Sequence, residues 1–217
     1  MNAEHTMHTN RYKLIVFDFD GTLADSFGCV LRILDEAASR HGLRRVDPRD
    51  VDSLLSKSPK DIMRYLGIPA WKLPLVVASM RREMRIHIDR VSLFPGVAAL
   101  LDGLSKRGVV LALVTSNSYD NVRCVMGPEM TARFRFVDCG VAVLGKRARL
   151  RKIVARSGLA REEIFCIGDE IRDLEAARKE RLAFGAVSWG FAKPDLLAAR
   201  GPDVMFVTPE EIMPYCT

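Results

Sequence analysis

The segment Asp18-Phe19-Asp20-Gly21-Thr22-Leu23 carries two carboxylates at i and i+2, directly after the largely apolar run Lys13 to Phe17. On a turn such a pair can divide labour: one carboxylate, held by a metal ion, attacks phosphorus, and the other protonates the leaving oxygen. Gly21 lets the backbone bend sharply and turn amides toward a phosphate. A second acidic group, Gly168-Asp169-Glu170-Ile171-Arg172-Asp173, follows another apolar run, Ile164 to Ile167. If Asp169 leaves a strand edge and Asp173 falls in the first turn of a helix, the two can converge on one cation, one directly and one through water. Taken singly, the first pair has a lesser reading as solvated turn acids, and the second reads equally well as helix-start acids complementing the dipole.

These groups need elements to bring them together. Lys13 to Phe17 reads as a buried parallel strand that delivers Asp18 to its C-terminal edge, where ligand sites lie in open α/β sheets. Similar runs recur at Val109 to Val114, ending at Thr115; at Ile164 to Ile167, ending at Gly168 and Asp169; and at Leu182 to Val187, ending at Ser188. Helical patterns lie between them: Val97, Leu100, Leu101 and Leu104 up to Gly108, and Leu150, Ile153 and Val154 up to Gly158. The stretch from about Phe27 to Leu93 has helical periodicity and no convincing strand. Val30, Ile33, Leu34, Ala37 and His41 mark one helix closed by Gly42; Ser58, Pro59 and Asp61 resemble the start of a second; Leu73 to Ile88 suggests a longer third. The expected architecture is an α/β Rossmann-like parallel sheet core, residues 1–24 and 94–217, with an inserted all-helical domain at 25–93.

Composition narrows the classes. With 217 residues, 48% of them hydrophobic, the chain can bury a sizeable core. No run approaches a membrane span and Met1 to Arg11 lack a signal-peptide core, so a cytoplasmic location with no membrane partner is expected. Five cysteines are scattered without CxxC spacing, which suggests neither a zinc site nor a disulfide framework. The net charge of +6 mixes with acids and lacks aromatic interleaving, so it fits small anionic metabolites better than nucleic acid.

The DxDGTL segment resembles the first motif of the haloacid dehalogenase (HAD) superfamily, and the resemblance extends over nearly the whole chain. A Ser or Thr at the end of a later strand matches Thr115, whose hydroxyl would donate to a phosphoryl oxygen, with Ser116 and Asn117 adjacent. The family's lysine matches Lys146, although Arg147 stands where many relatives have Pro, and Arg149, Arg151 and Lys152 crowd the same stretch. Asp169 and Asp173 match the GDxxxD form. The resemblance implies Mg²⁺ as cofactor, with Asp18, Asp20 through its carbonyl, Asp169, Glu170 and Asp173 in or around the metal site. It implies Asp18 as nucleophile, Asp20 as acid and then base, and Phe19, Gly21, Thr22, Ser116 and Asn117 among the phosphate contacts. The helical insertion resembles the cap of the phosphoglycolate phosphatase-like branch. Asp25 and Ser26 match its hinge, and Leu54 to Ser58, with Lys57 and Arg64, is the candidate specificity segment. Near the end of the chain, Trp189 and Gly190 would line the sheet edge.

These matches imply a Mg²⁺-dependent phosphatase of small phosphomonoesters, with 2-phosphoglycolate as leading candidate. A phosphosugar mutase of the same superfamily would keep the same core motifs. Dehalogenase and phosphonatase branches lack an acid at the position of Asp20. A regulatory phosphatase of nucleotides or proteins would differ only in the insertion, and a non-catalytic protein binding through its basic surface would be expected to have lost one of the four motifs.

Overall fold

The computed structural model describes residues 12–54, 59–140 and 145–216. Its centre is a six-stranded parallel sheet in the order β5-β4-β1-β6-β7-β8, formed by β1 (Leu14–Phe17), β4 (Val110–Val114), β5 (Phe134–Asp138), β6 (Ile164–Gly168), β7 (Ala183–Val187) and β8 (Val204–Phe206). β1 lies between β4 and β6, with Phe17 level with Leu113 on one side and Ile167 on the other. The chain therefore switches sides at β1, which opens a crevice beyond its carboxyl end.

Side chains of a strand alternate between faces, and here both faces are covered, so the strands read as unbroken apolar runs. Ile15 and Phe17 point into one core with Leu111, Leu113, Phe165 and Ile167; Leu14 and Val16 point into the other with Ala112, Val114, Cys166 and Phe184. α5 (Val97–Lys106) packs on the first face through Val97, Leu100, Leu101 and Leu104, and α6 (Tyr119–Thr131) contributes Val122 and Met126. On the second face lie α7 (Lys146–Ser157), α8 (Ile171–Lys179) and α9 (Pro194–Ala198).

β5 departs from the apolar-run pattern that marks the other core strands. It is an edge strand on which Phe134 and Phe136 are buried and Arg135 is exposed, so its sequence alternates.

Between β2 (Ala24–Asp25) and β3 (Ser92–Leu93), which pair antiparallel, the described chain is helical: α1 (Phe27–His41), α2 (Val51–Leu54), α3 (Pro59–Tyr65) and α4 (Leu73–Ile86). The longer third helix expected from Leu73 ends at Ile86 and gives way to a 3₁₀ turn, Ile88–Arg90. α1 and α4 pack along each other around Cys29, Ile33 and Met84. Arg81 of α4 donates to the Gly140 carbonyl at 3.1 Å, and Arg85 lies 3.6 Å from Asp120 of α6, so this helix also touches loops at the open edge of the sheet.

Candidate active site

β1 ends where its ladder is extended by one bond, from the Asp18 amide to the Ile167 carbonyl at 2.9 Å. Asp18 is thereby fixed at the sheet edge, 5% exposed, with Asp169 at the end of β6 and Asp173 on α8 also buried. Carboxylate oxygens of Asp18, Asp169 and Asp173 all lie within 4.8 Å of one another. Lys146, the first residue of α7, puts Nζ 2.9 Å from Asp18 Oδ2 and 2.5 Å from Asp173 Oδ1. Residues distant in sequence meet here because β1 and β6 are neighbours and α7 and α8 start at the same edge.

The electrostatics follow from burial. Removal from water pushes the Asp18 carboxyl up to about 7, against the pull of Lys146 and with a further push from Asp173. Asp169 is driven well above the ordinary carboxylate range, first by burial and then by Glu170, Asp18 and Asp173. Burial opposes the charged form of Lys146, but Asp173 and Asp18 outweigh it and its pKa lies above the ordinary lysine value. When ionised, three buried carboxylates beside one ammonium leave negative charge uncompensated. An all-oxygen donor set of this kind suits a hard divalent cation such as Mg²⁺.

Asp20 stands apart from this cluster. Ser26 Oγ donates to its Oδ1 at 2.8 Å, and Asn117 Nδ2 lies 3.2 Å from both oxygens. The Asn117 side-chain Oδ1 accepts from Ser118 N at 2.9 Å and Asn121 Nδ2 at 2.8 Å, which turns its Nδ2 toward Asp20. Ser26 opens α1 without capping it by its side chain, because its hydroxyl is committed to Asp20. Burial raises the Asp20 carboxyl above its ordinary value, and these two hydrogen bonds lower it again in part.

The residues read as phosphate contacts fall into different places. The Gly21 amide donates to the Ala24 carbonyl at 2.9 Å and so closes the turn. Gly21 is required by space and backbone alike: its φ is 78°, and a Cβ there would sit 2.2 Å from Asp169 Oδ2. The Thr22 hydroxyl donates to Asp169 Oδ1 at 2.8 Å and is buried, so it orients a carboxylate. The Phe19 ring is fully buried in the core, and its carbonyl closes the turn by accepting from Leu23 and Ala24. The Thr115 hydroxyl accepts the Asn117 amide at 3.0 Å, and Ser116 is half-buried beside it. Asn117 holds Asp20, as described above. Glu170 is not in the three-carboxylate cluster; Arg172 engages it instead, Nε lying 2.6 Å from Oε2. Arg64 is exposed and bonded to Asp61, while Leu55, Ser56, Lys57 and Ser58 lie outside the described residues.

Two participants, Phe191 and Arg172, have no role in the sequence reading. The Phe191 amide donates to Asp169 Oδ2 at 2.8 Å, and the indole of Trp189, expected at the sheet edge, donates to the Thr22 carbonyl at 3.1 Å, so the turn after β7 pins both. Gly190 between them packs on Asp169, where a Cβ would come within 2.1 Å of the Asp169 Cβ. Arg172 is the second. An amide contact leaves no mark on composition or spacing, whereas Arg172 stood in plain view inside an acidic motif.

Comparison with known proteins identifies the family. The family model described as haloacid dehalogenase-like hydrolase matches residues 15–187. A phosphoglycolate phosphatase of Synechococcus elongatus is 35% identical over 204 residues, covering 94% of this chain and 96% of its own. A 5'-nucleotidase of Pseudomonas aeruginosa is 28% identical, covering 88% and 90%. Among solved structures, a haloacid dehalogenase-like family hydrolase from Streptococcus pneumoniae aligns with a TM-score of 0.78 at 21% identity, covering 94% of this chain and 98% of its own. CbbY from Rhodobacter sphaeroides, solved in complex with phosphate, aligns at 0.76 and 21%, covering 93% and 96%. The structural likeness carries the fold, and the family match over most of the chain carries the membership: this chain belongs to the haloacid dehalogenase-like hydrolases.

Proposed function

We propose that the protein is a Mg²⁺-dependent phosphatase of small phosphomonoesters that works through an aspartyl-phosphate on Asp18. The observation that carries this is the separation of two carboxylates on one turn: Asp18 sits in the buried cluster against Lys146, while Asp20 is held outside it by Ser26 and Asn117. One is disposed to be an ionised nucleophile and the other to exchange protons.

An Asp18 oxygen attacks phosphorus as the bond to the leaving oxygen breaks, and Asp20 gives that oxygen its proton. Water then attacks the phosphoaspartate, Asp20 takes the water's proton, and the bond between phosphorus and Asp18 breaks to release phosphate. Lys146 lowers the repulsion between Asp18 and the incoming phosphoryl oxygens, and the Thr115 hydroxyl would donate to one of those oxygens. Asp18, Asp169 and Asp173 would hold Mg²⁺, which supplies neutralising charge for the phosphoryl group. Residues 25–93 act as a cap on a core made of 1–24 and 94–217, hinged at the β2–β3 pair, and choose the leaving group. 2-Phosphoglycolate leads the substrates, supported by the 35% identical relative of that name, with nucleoside monophosphates next on the strength of the 5'-nucleotidase. The substrate meets the enzyme in the cytoplasm.

Phosphate release from a panel containing 2-phosphoglycolate, sugar phosphates and nucleoside monophosphates, with and without Mg²⁺, tests this. Release that needs Mg²⁺ and disappears in Asp18→Asn is the expected result. Full activity in Asp18→Asn would remove the nucleophile and with it the mechanism.

A further inference from the structure

Among the described residues, Arg172 is a strongly charged side chain near the cluster that the reaction above leaves without work. It follows Asp169 by three residues, in the first turn of α8, and its side chain is 25% exposed. Arginines on helices of small enzymes usually stand in water; this one is three-quarters buried, and its charge favours the ionised forms of Asp18 and Asp20. Glu170 anchors it. Glu170 has an extended backbone, φ −115° and ψ 151°, which turns its carboxylate away from its neighbour's direction. Arg172 Nη2 donates to Glu170 Oε1 at 2.8 Å. Nε lies 2.6 Å from Oε2 and is buried, so Glu170 takes the Nε–Nη2 edge. The guanidinium is thus held along that edge, and Nη1 carries two further donors.

Charge points the same way. Asp18, Asp20, Asp169, Asp173 and Glu170 oppose Lys146 and Arg172. With all five acids ionised, the side chains carry an excess of three negative charges, which one divalent cation does not cancel. A phosphoryl dianion must enter that field, and every fixed cation it meets counts. A guanidinium presents its donors in a planar fork that matches phosphate oxygens, which an ammonium does not.

We propose that Arg172 is a phosphoryl-binding residue, donating to a non-bridging oxygen of the substrate, and that Glu170 positions it and is not a metal ligand. This deepens the phosphatase reading and rests on it.

The test uses the full chain, with Arg172→Gln, Arg172→Lys and Glu170→Gln beside wild type. Three quantities are measured: the affinity for inorganic phosphate in the presence of Mg²⁺ by calorimetry, the Mg²⁺ concentration giving half-maximal thermal stabilisation, and KM against kcat on the preferred monoester. Losing a hydrogen bond to a charged group should weaken phosphate binding and raise KM about 10- to 100-fold in Arg172→Gln. Arg172→Lys should recover part of that loss. Glu170→Gln should weaken phosphate a few-fold and leave the Mg²⁺ midpoint unchanged. Wild-type phosphate affinity in Arg172→Gln would overturn the role of Arg172. A tenfold shift of the Mg²⁺ midpoint in Glu170→Gln, with phosphate affinity intact, would make Glu170 a metal ligand and overturn the pairing. Wild type that binds phosphate but hydrolyses no monoester would defeat the phosphatase reading alone, and the phosphate measurement would still decide Arg172.

Discussion

Asp18 and Asp20 are separated by one residue on a single turn, and the difference in their surroundings is what fits them for the separate tasks proposed. Asp18 faces two other buried acids and Lys146; Asp20 faces a hydroxyl and an amide. Asp18→Asn is expected to lower phosphate release by roughly three orders of magnitude or more, as for other nucleophile deletions. Asp20→Asn is expected to cost about 10²- to 10⁴-fold in kcat, the usual share of general acid–base catalysis, while Mg²⁺ still raises the melting temperature. Loss of that thermal shift in Asp20→Asn would mean that its side chain holds the metal. Gly21→Ala brings a methyl against Asp169 at a positive φ, so it should destabilise by about 1–3 kcal/mol in urea unfolding and weaken the response to Mg²⁺.

At the scale of elements, α7 is an unfavourable helix made to work by its neighbours. Its first turn carries Lys146, Arg147 and Arg149 and no acid, which sets like charges against the positive end of the helix dipole. Glu180, at the end of α8, answers with bonds from Arg147 Nε at 2.7 Å and Arg151 Nη2 at 3.0 Å, and Asp138 of β5 lies 3.1 Å from Arg149. That clamp holds the first turns of the helix that begins at Lys146. Glu180→Gln should lower unfolding free energy by about 1–3 kcal/mol and reduce kcat by loosening Lys146. The Arg151 hydrogen bond, against burial and with Arg147, holds the Glu180 carboxyl below its ordinary value. Its contribution is therefore present above the unfolded glutamate value of about 4.3 and lost as pH falls through the lower folded value. Chemical denaturation of wild type and Glu180→Gln from pH 7 to pH 3 should show the difference between them shrinking toward the acid end.

For the molecule as a whole, the described helices between β2 and β3 reach back to the sheet edge through α4. Arg81 bonds the Gly140 carbonyl, and the Gly140 amide bonds the Asn117 carbonyl at 2.7 Å, so the insertion touches the loop that holds Asp20. If this contact belongs to cap closure, Arg81→Ala should reduce kcat/KM several-fold and change stability by no more than about 0.5 kcal/mol, as an exposed contact would. Unchanged kinetics would remove α4 from the closure. The buried acids also tie metal binding to pH: ligands must be ionised to bind, and burial holds Asp18 at about 7 before a cation arrives. The Mg²⁺ midpoint of the thermal shift is therefore expected to rise steeply as pH falls below about 7.

Sequence by itself determined the parallel sheet and the residues that gather at its edge, because strands buried on both faces must be continuous apolar runs, and Asp18, Thr115 and Asp169 stand where those runs stop. The alternating edge strand β5 lacked that signature. Tertiary structure alone decided the division of work among neighbours in the chain. Asp18 and Asp20, or Asp169 and Glu170, have the same chemistry in sequence, and only the groups that fold back onto them set them apart: Lys146 on one, Ser26 and Asn117 on another, Arg172 on a third. The same holds for Gly21 and Thr22, which a sequence reading gives to the phosphate and the fold gives to Asp169, since hydrogen-bond partners 147 residues apart are fixed by strand order and not by spacing.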